Sequence, residues 1–145
     1  MDTTRLAAQT FAQSLFVGLR AEDGCSLPVP AELSYNTSDP YALTISFFLD
    51  ETPVPWRFAR DLLSDGLIEP SGDGDVHVWP GPDDEGAPVV TIELCSPHGD
   101  ALVEVRTGDA VAFVERSHAL VAPGAESAHL DIDATITAIR AAENA

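Results

Sequence analysis

Lysine is missing altogether from this chain of 145 residues, and its seven basic side chains are all arginine. They face 24 Asp and Glu residues, which sets the formal net charge at −17. Between Asp61 and Glu104 there is no Arg or Lys, while Asp73, Asp75, Asp83, Asp84 and Glu85 crowd one part of that span. A nucleic-acid binder displaces counterions from phosphate with a basic patch, and this field has the opposite sign. The charge therefore speaks against direct DNA or RNA binding, and anionic membrane surfaces are disfavoured on the same ground. What the acid excess can do is keep the chain soluble and steer a basic partner towards it.

Cysteine is almost as scarce. Cys25 and Cys95 are the only two, and their wide separation makes neither a zinc nor a redox motif. Both are expected to be free and structural in a reducing compartment. Met1-Asp2-Thr3-Thr4-Arg5 lacks the basic region and apolar run of a secretory signal. No apolar stretch approaches the ~18 residues that a membrane span requires. The expectation is a cytoplasmic protein without stable membrane insertion.

Catalytic signatures are missing too: there is no G-x-S-x-G, no P-loop and no G-x-G-x-x-G. The four histidines have neither H-x-x-x-H spacing nor a cysteine neighbour in the sequence. His118 is expected to be partly buried and hydrogen-bonded. Gly72-Asp73-Gly74-Asp75 resembles the opening of a calcium loop. The twelfth position from Asp73 is Asp84, however, where such a loop needs a bidentate Glu, and Val, His, Trp and Pro intervene. A turn before a strand is the better reading. Asp83-Asp84-Glu85, in a Gly/Pro-rich stretch, reads as solvated acid. The expectation is thus a non-enzyme with no catalytic residue, no metal ligand and no cofactor. A hydrolase whose residues converge only in space is the enzyme reading left open.

What is present suits one globular domain spanning 1–145: 45% apolar and 21% charged residues are ordinary usage for a packed chain. A domain of this length buries roughly 70% of its unfolded surface without metal or disulfide help. Phe11, Leu15, Val17 and Leu19 fall on one face at period two, which predicts a strand over Thr10 to Arg20, with a short helix as the alternative for its Ala-rich start. Leu27-Pro28-Val29-Pro30 is extended and Ala31 to Asn36 is a short strand. Thr37-Ser38-Asp39-Pro40 is a turn. Tyr41, Leu43, Ile45, Phe47 and Leu49 alternate through a longer strand, followed by a turn over Asp50 to Pro53. Val54, Trp56 and Phe58 alternate on the next, whose prolines place its start at a sheet edge. Arg60 to Gly66 reads as a short helix with Gly66 as its C-terminal cap. Ser71-Gly72-Asp73-Gly74 is a turn and Val76 to Trp79 a strand. Val89–Cys95 and Ala101–Val105 form a hairpin about Ser96-Pro97-His98-Gly99.

Helices follow. Thr107 or Asp109 can cap one that runs to about Ala119, with Val111, Val114, His118 and Val121 on its stripe. Pro123-Gly124 ends it, and Asp131 caps a terminal helix carrying Ile132, Ile136 and Ile139. Antiparallel strands followed by helices make an α+β fold. Residues 1–9 and 80–88 are the segments expected to move.

Three residues stand out as candidate partner-binding or structural-functional positions. Arg57 faces away from the Val54, Trp56 and Phe58 row, in which Trp56 is read as core. Trp79 alternates with His77 rather than with Val76 and Val78; if those valines face the core, the indole faces outward, where it marks an interface, and a core position is the alternative. Gly124 follows a proline after a helix, where a turn needs φ > 0.

Taken in order, these pieces resemble the SsgA-like family of actinobacterial sporulation and cell-division proteins. The matching stretches are Leu27-Pro28-Val29-Pro30, Tyr35, Asp39-Pro40-Tyr41-Ala42, Trp56-Arg57-Phe58-Ala59-Arg60-Asp61-Leu62-Leu63 and Gly66-Leu67. Gly72-Asp73-Gly74-Asp75-Val76, Val78-Trp79-Pro80, Ser96-Pro97, Val121, Pro123-Gly124 and Asp131-Ile132-Asp133 complete the series. The resemblance covers residues from about 10 to 142 and is closest to the SsgB branch. It implies a non-catalytic regulator of sporulation-specific septation that helps to position the tubulin-like division protein FtsZ, with SsgA-like paralogues as further partners. It also implies recruitment to division septa and a fold similar to the whirly single-stranded nucleic-acid-binding proteins, assembled as a homotrimer. A whirly-like single-stranded nucleic-acid binder is the alternative that such a fold brings with it; the charge argues against it.

Overall fold

The computed structural model describes residues 8–21 and 23–130. Eight strands form one antiparallel sheet in the order β4-β3-β2-β1-β8-β7-β6-β5. The order is that of two four-stranded meanders laid side by side. The first comprises β1 (Thr10–Arg20), β2 (Ser26–Asn36), β3 (Ala42–Leu49) and β4 (Thr52–Ala59). The second comprises β5 (Ser71–Asp73), β6 (Val76–Pro82), β7 (Pro88–Ser96) and β8 (Gly99–Arg106). Alternation gives β1, β2, β3, β6, β7 and β8 one apolar face each, and these faces merge into a single core, to which β4 adds Phe58 as its one fully buried residue. Phe11, Leu15 and Val17 of β1 meet Leu33, Ile45, Val78, Ile92 and Val103 there.

The link between the meanders is also the wedge between their far ends. Helix α1 (Arg60–Gly66) runs from β4, one edge of the sheet, to β5, the other, and packs against β3 and β4 as well as β5 and β6. The sheet must curl for one short helix to touch both ends. Leu62 and Leu63 fill the space so enclosed. Gly66 lies so close to β6 that a Cβ would meet Val78 Cγ1 at 2.2 Å. This corrects the reading of Gly66 as the C-terminal cap: it is helical, Leu67 is the cap, and the glycine is there because no side chain fits.

Helix α2 (Thr107–Leu120) covers β7 and β8. Its buried stripe is Ala110, Phe113, Val114 and Ser117, rotated from the expected Val111, Val114, His118 and Val121; Val111 is exposed. Phe113 decides the rotation, because its ring packs on Phe11 at 5.1 Å between centroids. Neither Thr107 nor Asp109 caps the helix: Arg106 is the N-cap and offers no side-chain bond. The chain then turns at Gly124 (φ +86°) into a 3₁₀ turn, Glu126–His129. The expected terminal helix from Asp131 lies outside the described residues.

Two further expectations change. Leu27 to Asn36 is not an extended segment plus a short strand but part of one strand, β2. Pro28 and Pro30 are tolerated because β3 pairs only with Ala31 to Ser34, which leaves the proline end of β2 without a partner on that side. Ser71 to Asp73 is a strand rather than a turn, closed onto β6 by Gly74 (φ +60°) and Asp75. The proline-bearing β4 is indeed a sheet edge.

Candidate interaction surface

The two meanders are joined by very little pairing. Only Gly18, Leu19 and Arg20 of β1 pair with β8, opposite Glu104, Val103 and Leu102. Towards the start of β1 the strands part, and the fork opens onto a groove of about 480 Å³ lined by Phe16, Gly18, Pro28, Asp83, Glu104 and Arg106 among others. Phe16 alternates with buried Leu15 and Val17, so the ring stands on the outer face, 68% exposed. A large apolar side chain so exposed beside a cavity marks a contact surface more than a solitary surface Leu does.

The rim is acidic and organised. Asp83 Oδ1 accepts bonds from the backbone N–H of Glu85 (2.9 Å) and Ala87 (2.8 Å), which shapes the β6–β7 loop. Arg20 donates to Glu104 Oε2 at 2.9 Å and to Asp84 Oδ1 at 3.3 Å, fastening the loop tip to the seam. These bonds raise the Arg20 pKa further above its ordinary value, so it is charged throughout. An apolar ring among carboxylates suits a segment that offers an apolar side chain flanked by basic ones. Among the described residues that line the groove there is no cysteine or histidine.

Away from the groove, a buried charge ties elements together. Arg60, fully buried, donates from Nη1 to the carbonyls of Val121 (2.7 Å) and Ser117 (3.1 Å). Its Nη2 donates to Glu126 Oε2 at 2.9 Å, and its guanidinium lies 5.1 Å from the centroid of the Tyr35 ring. The Tyr35 hydroxyl in turn donates to the Pro40 carbonyl at 2.8 Å. The first residue of α1 is thereby tied to the end of α2 and to the turn beyond it. Backbone bonding to its own N–H holds the Glu126 carboxyl below the usual range, and Arg60 and the Gly124 backbone add to the effect. His118 stands close by, partly buried. Burial, followed by the Arg60 charge, depresses its pKa. Its Nε2 is enclosed with no hydrogen-bond partner among the described residues, contrary to the bonded histidine expected.

The structure places the three residues singled out in the sequence on separate elements. Arg57 is exposed on β4 and grips Asp39 bidentately, Nε–Oδ2 at 2.8 Å and Nη2–Oδ1 at 2.9 Å. Trp79 stands on the outer side of β6 opposite Thr91, half-buried. Gly124 occupies the turn that delivers Glu126 to Arg60, with its φ of +86° in the glycine region. Among the described residues no hydrogen bond or ion pair joins the three. Arg60, Glu126 and Phe16 escaped sequence reasoning. The one available signal for Arg60 was an arginine at the head of a helix just after a buried-strand pattern, where a solvated residue was equally well accommodated.

Cys25 is exposed and Cys95 partly buried. Burial raises the Cys95 thiol pKa, and Asp100, Glu93 and Asp75 raise it further, so it is a poor nucleophile.

The family described as Streptomyces sporulation and cell division protein, SsgA, matches residues 29–126. The chain belongs to the SsgA family. It is a family of cell-division regulators, not known as enzymes. The chain is 48% identical over 119 residues to the sporulation-specific cell division protein SsgB of Kineococcus radiotolerans, covering 81% of this chain and 72% of that one. A solved SsgB structure from Streptomyces coelicolor aligns with a TM-score of 0.80 at 44% identity, over 85% of this chain and 97% of the other. An SsgA-like sporulation-specific cell division protein from Thermobifida fusca aligns at 0.81 and 35% identity, over 94% and 98%. Among the described residues of this SsgA-family chain no helix is long and apolar enough to cross a membrane.

Proposed function

We propose that this chain is an SsgB-type regulator of septation during sporulation, one that helps to position FtsZ by protein–protein contact and works as a homotrimer of whirly-like subunits at the septum. The observation that carries the reading is the likeness along nearly the whole of the Streptomyces coelicolor SsgB structure, in which mutations correlate with longitudinal cell division during sporulation. The fork groove, with exposed Phe16 beside it and acids on its rim, is the contact face. Arg57 and Trp79 are auxiliary surface positions, and Gly124 acts through the geometry of the turn. In the net charge of −17 lies the reason to prefer this role to nucleic-acid binding.

The test is complementation. The native chain should restore regular septa to a sporulating actinobacterium lacking SsgB, and Phe16→Asp should not, although its stability changes by no more than about 0.5 kcal/mol. Purified FtsZ should bind the native chain and not Phe16→Asp. Light scattering should give three times the chain mass. Full complementation by Phe16→Asp would remove the groove from the reading, and no complementation by the native chain would remove the reading itself.

A further inference from the structure

On the outer face of the second meander, antiparallel register brings together three side chains that sequence spacing keeps apart. His77 of β6 lies directly across from Glu93 of β7, and Cys95 follows two residues along β7 on the same face. One imidazole nitrogen of His77, a Glu93 carboxylate oxygen and the Cys95 sulfur all lie within 4.8 Å of one another. We propose that His77, Glu93 and Cys95 form a site for Zn²⁺ or a closely similar transition-metal ion, with the fourth coordination position open.

Three observations carry this. Ligand spacing is the first. Two ligands bonded to zinc at about 2.0–2.1 Å and spread at the tetrahedral angle stand about 3.3–3.4 Å apart; His77 Nδ1 and Glu93 Oε1 are 3.4 Å apart. They face each other at that distance without forming a hydrogen bond, and Nδ1 is enclosed and unpartnered among the described residues. Protonated, the imidazole would pair with Glu93 across this gap; neutral, its Nδ1 lone pair and the carboxylate present two donors to a cation at ligand spacing. Positioning is the second. Gly72 of β5 pairs with His77, and a Cβ there would lie 2.4 Å from the imidazole Cδ2. Glycine at that place lets the ring lie over β5 with Nδ1 turned to Glu93. The donor set is the third. Thiolate and imidazole together select zinc-like ions over calcium and magnesium, which take oxygen alone. Asp100, opposite Cys95 in β8, adds negative field from the adjacent strand. The site stands at the surface, with His77 45% and Glu93 33% exposed, so an ion can enter from solvent.

The inference is independent of the septation reading. Its test is a Co²⁺ titration of the full chain under thiol-free reductant, followed by absorption. One equivalent should produce a thiolate-to-cobalt charge-transfer band in the near ultraviolet, and Zn²⁺ should bleach it. The band should vanish in Cys95→Ser and persist in Cys25→Ser. His77→Ala and Glu93→Gln should each weaken Zn²⁺ binding at least tenfold. All these side chains are at least partly exposed, and a native circular dichroism spectrum verifies each variant. Absence of the band in the native chain would overturn the proposal. So would a band that survives Cys95→Ser, or an unchanged affinity in His77→Ala.

Discussion

Arg57 and Arg60 sit three positions apart and show how environment sets the worth of a charge. Arg57 holds Asp39 with good bidentate geometry, but the two side chains are 64% and 46% exposed. Solvent screens such a pair, and Arg57→Ala should lower stability by no more than about 1 kcal/mol. Arg60 and Glu126 are 0% and 7% exposed. Arg60→Ala would strand the Glu126 carboxylate and the carbonyls of Ser117 and Val121, at a cost of about 3–5 kcal/mol. Urea unfolding of both variants measures the contrast. The same cluster predicts acid sensitivity. Glu126 has a folded pKa below its ordinary 4.5, so the unfolded chain takes up its proton first. Its stabilisation is complete above about that pH and disappears as pH falls through the folded value. His118 is also depressed, from an ordinary 6.5, and it favours folding only while neutral in both states or nearly so. Its share begins to fall as pH drops below 6.5. Stability should therefore decline first from His118 and then from Glu126. His118→Gln should flatten the upper part of the urea-midpoint profile. Glu126→Gln should flatten the lower part, with lower stability at neutral pH.

At the scale of elements, most strands were legible and the contacts between them were not. Alternation located β1, β3, β7 and β8 because one face of each is buried and the other is not; it also located β4, where Phe58 alone of the Val54, Trp56 and Phe58 row is fully buried. It missed β5, which is three residues long and rich in Gly and Asp. It also misplaced the stripe of α2, since Phe113 is buried by a partner on β1 that no local pattern reveals. The two conspicuous glycines separate along the same line. At Gly124 a Cβ would meet nothing within 4 Å, so Gly124→Ala should cost only the left-handed backbone, about 1–2 kcal/mol. At Gly66 the backbone is ordinary and the space is full, so Gly66→Ala should cost about 1–3 kcal/mol by overpacking against Val78. A double-mutant cycle distinguishes them. Val78→Ala should recover part of the Gly66→Ala loss and none of the Gly124→Ala loss.

For the molecule as a whole, charge is the dominant physical property. With −17 on 145 residues, the folded chain repels itself more strongly than the expanded unfolded chain does. Salt with a Debye length near 3 Å at about 1 M screens that repulsion, whereas about 0.01 M leaves a 30 Å field intact. The melting temperature should therefore rise with NaCl over that range; a fall would mean that ion pairs such as Arg20–Glu104 outweigh the repulsion. The candidate groove lies where the two halves of the sheet meet, between strands far apart in the chain. No stretch of sequence contains it.

By itself the sequence determined the α+β class, the strand faces, the acidic field and the family, because periodicity, composition and motif order are local or additive properties. Tertiary structure alone decided the curl of the sheet about α1, the burial of Arg60 with Glu126 and the meeting of His77 with Cys95. Each of these depends on which strands pair and in what register, and a shift of one residue would send every side chain to the other face.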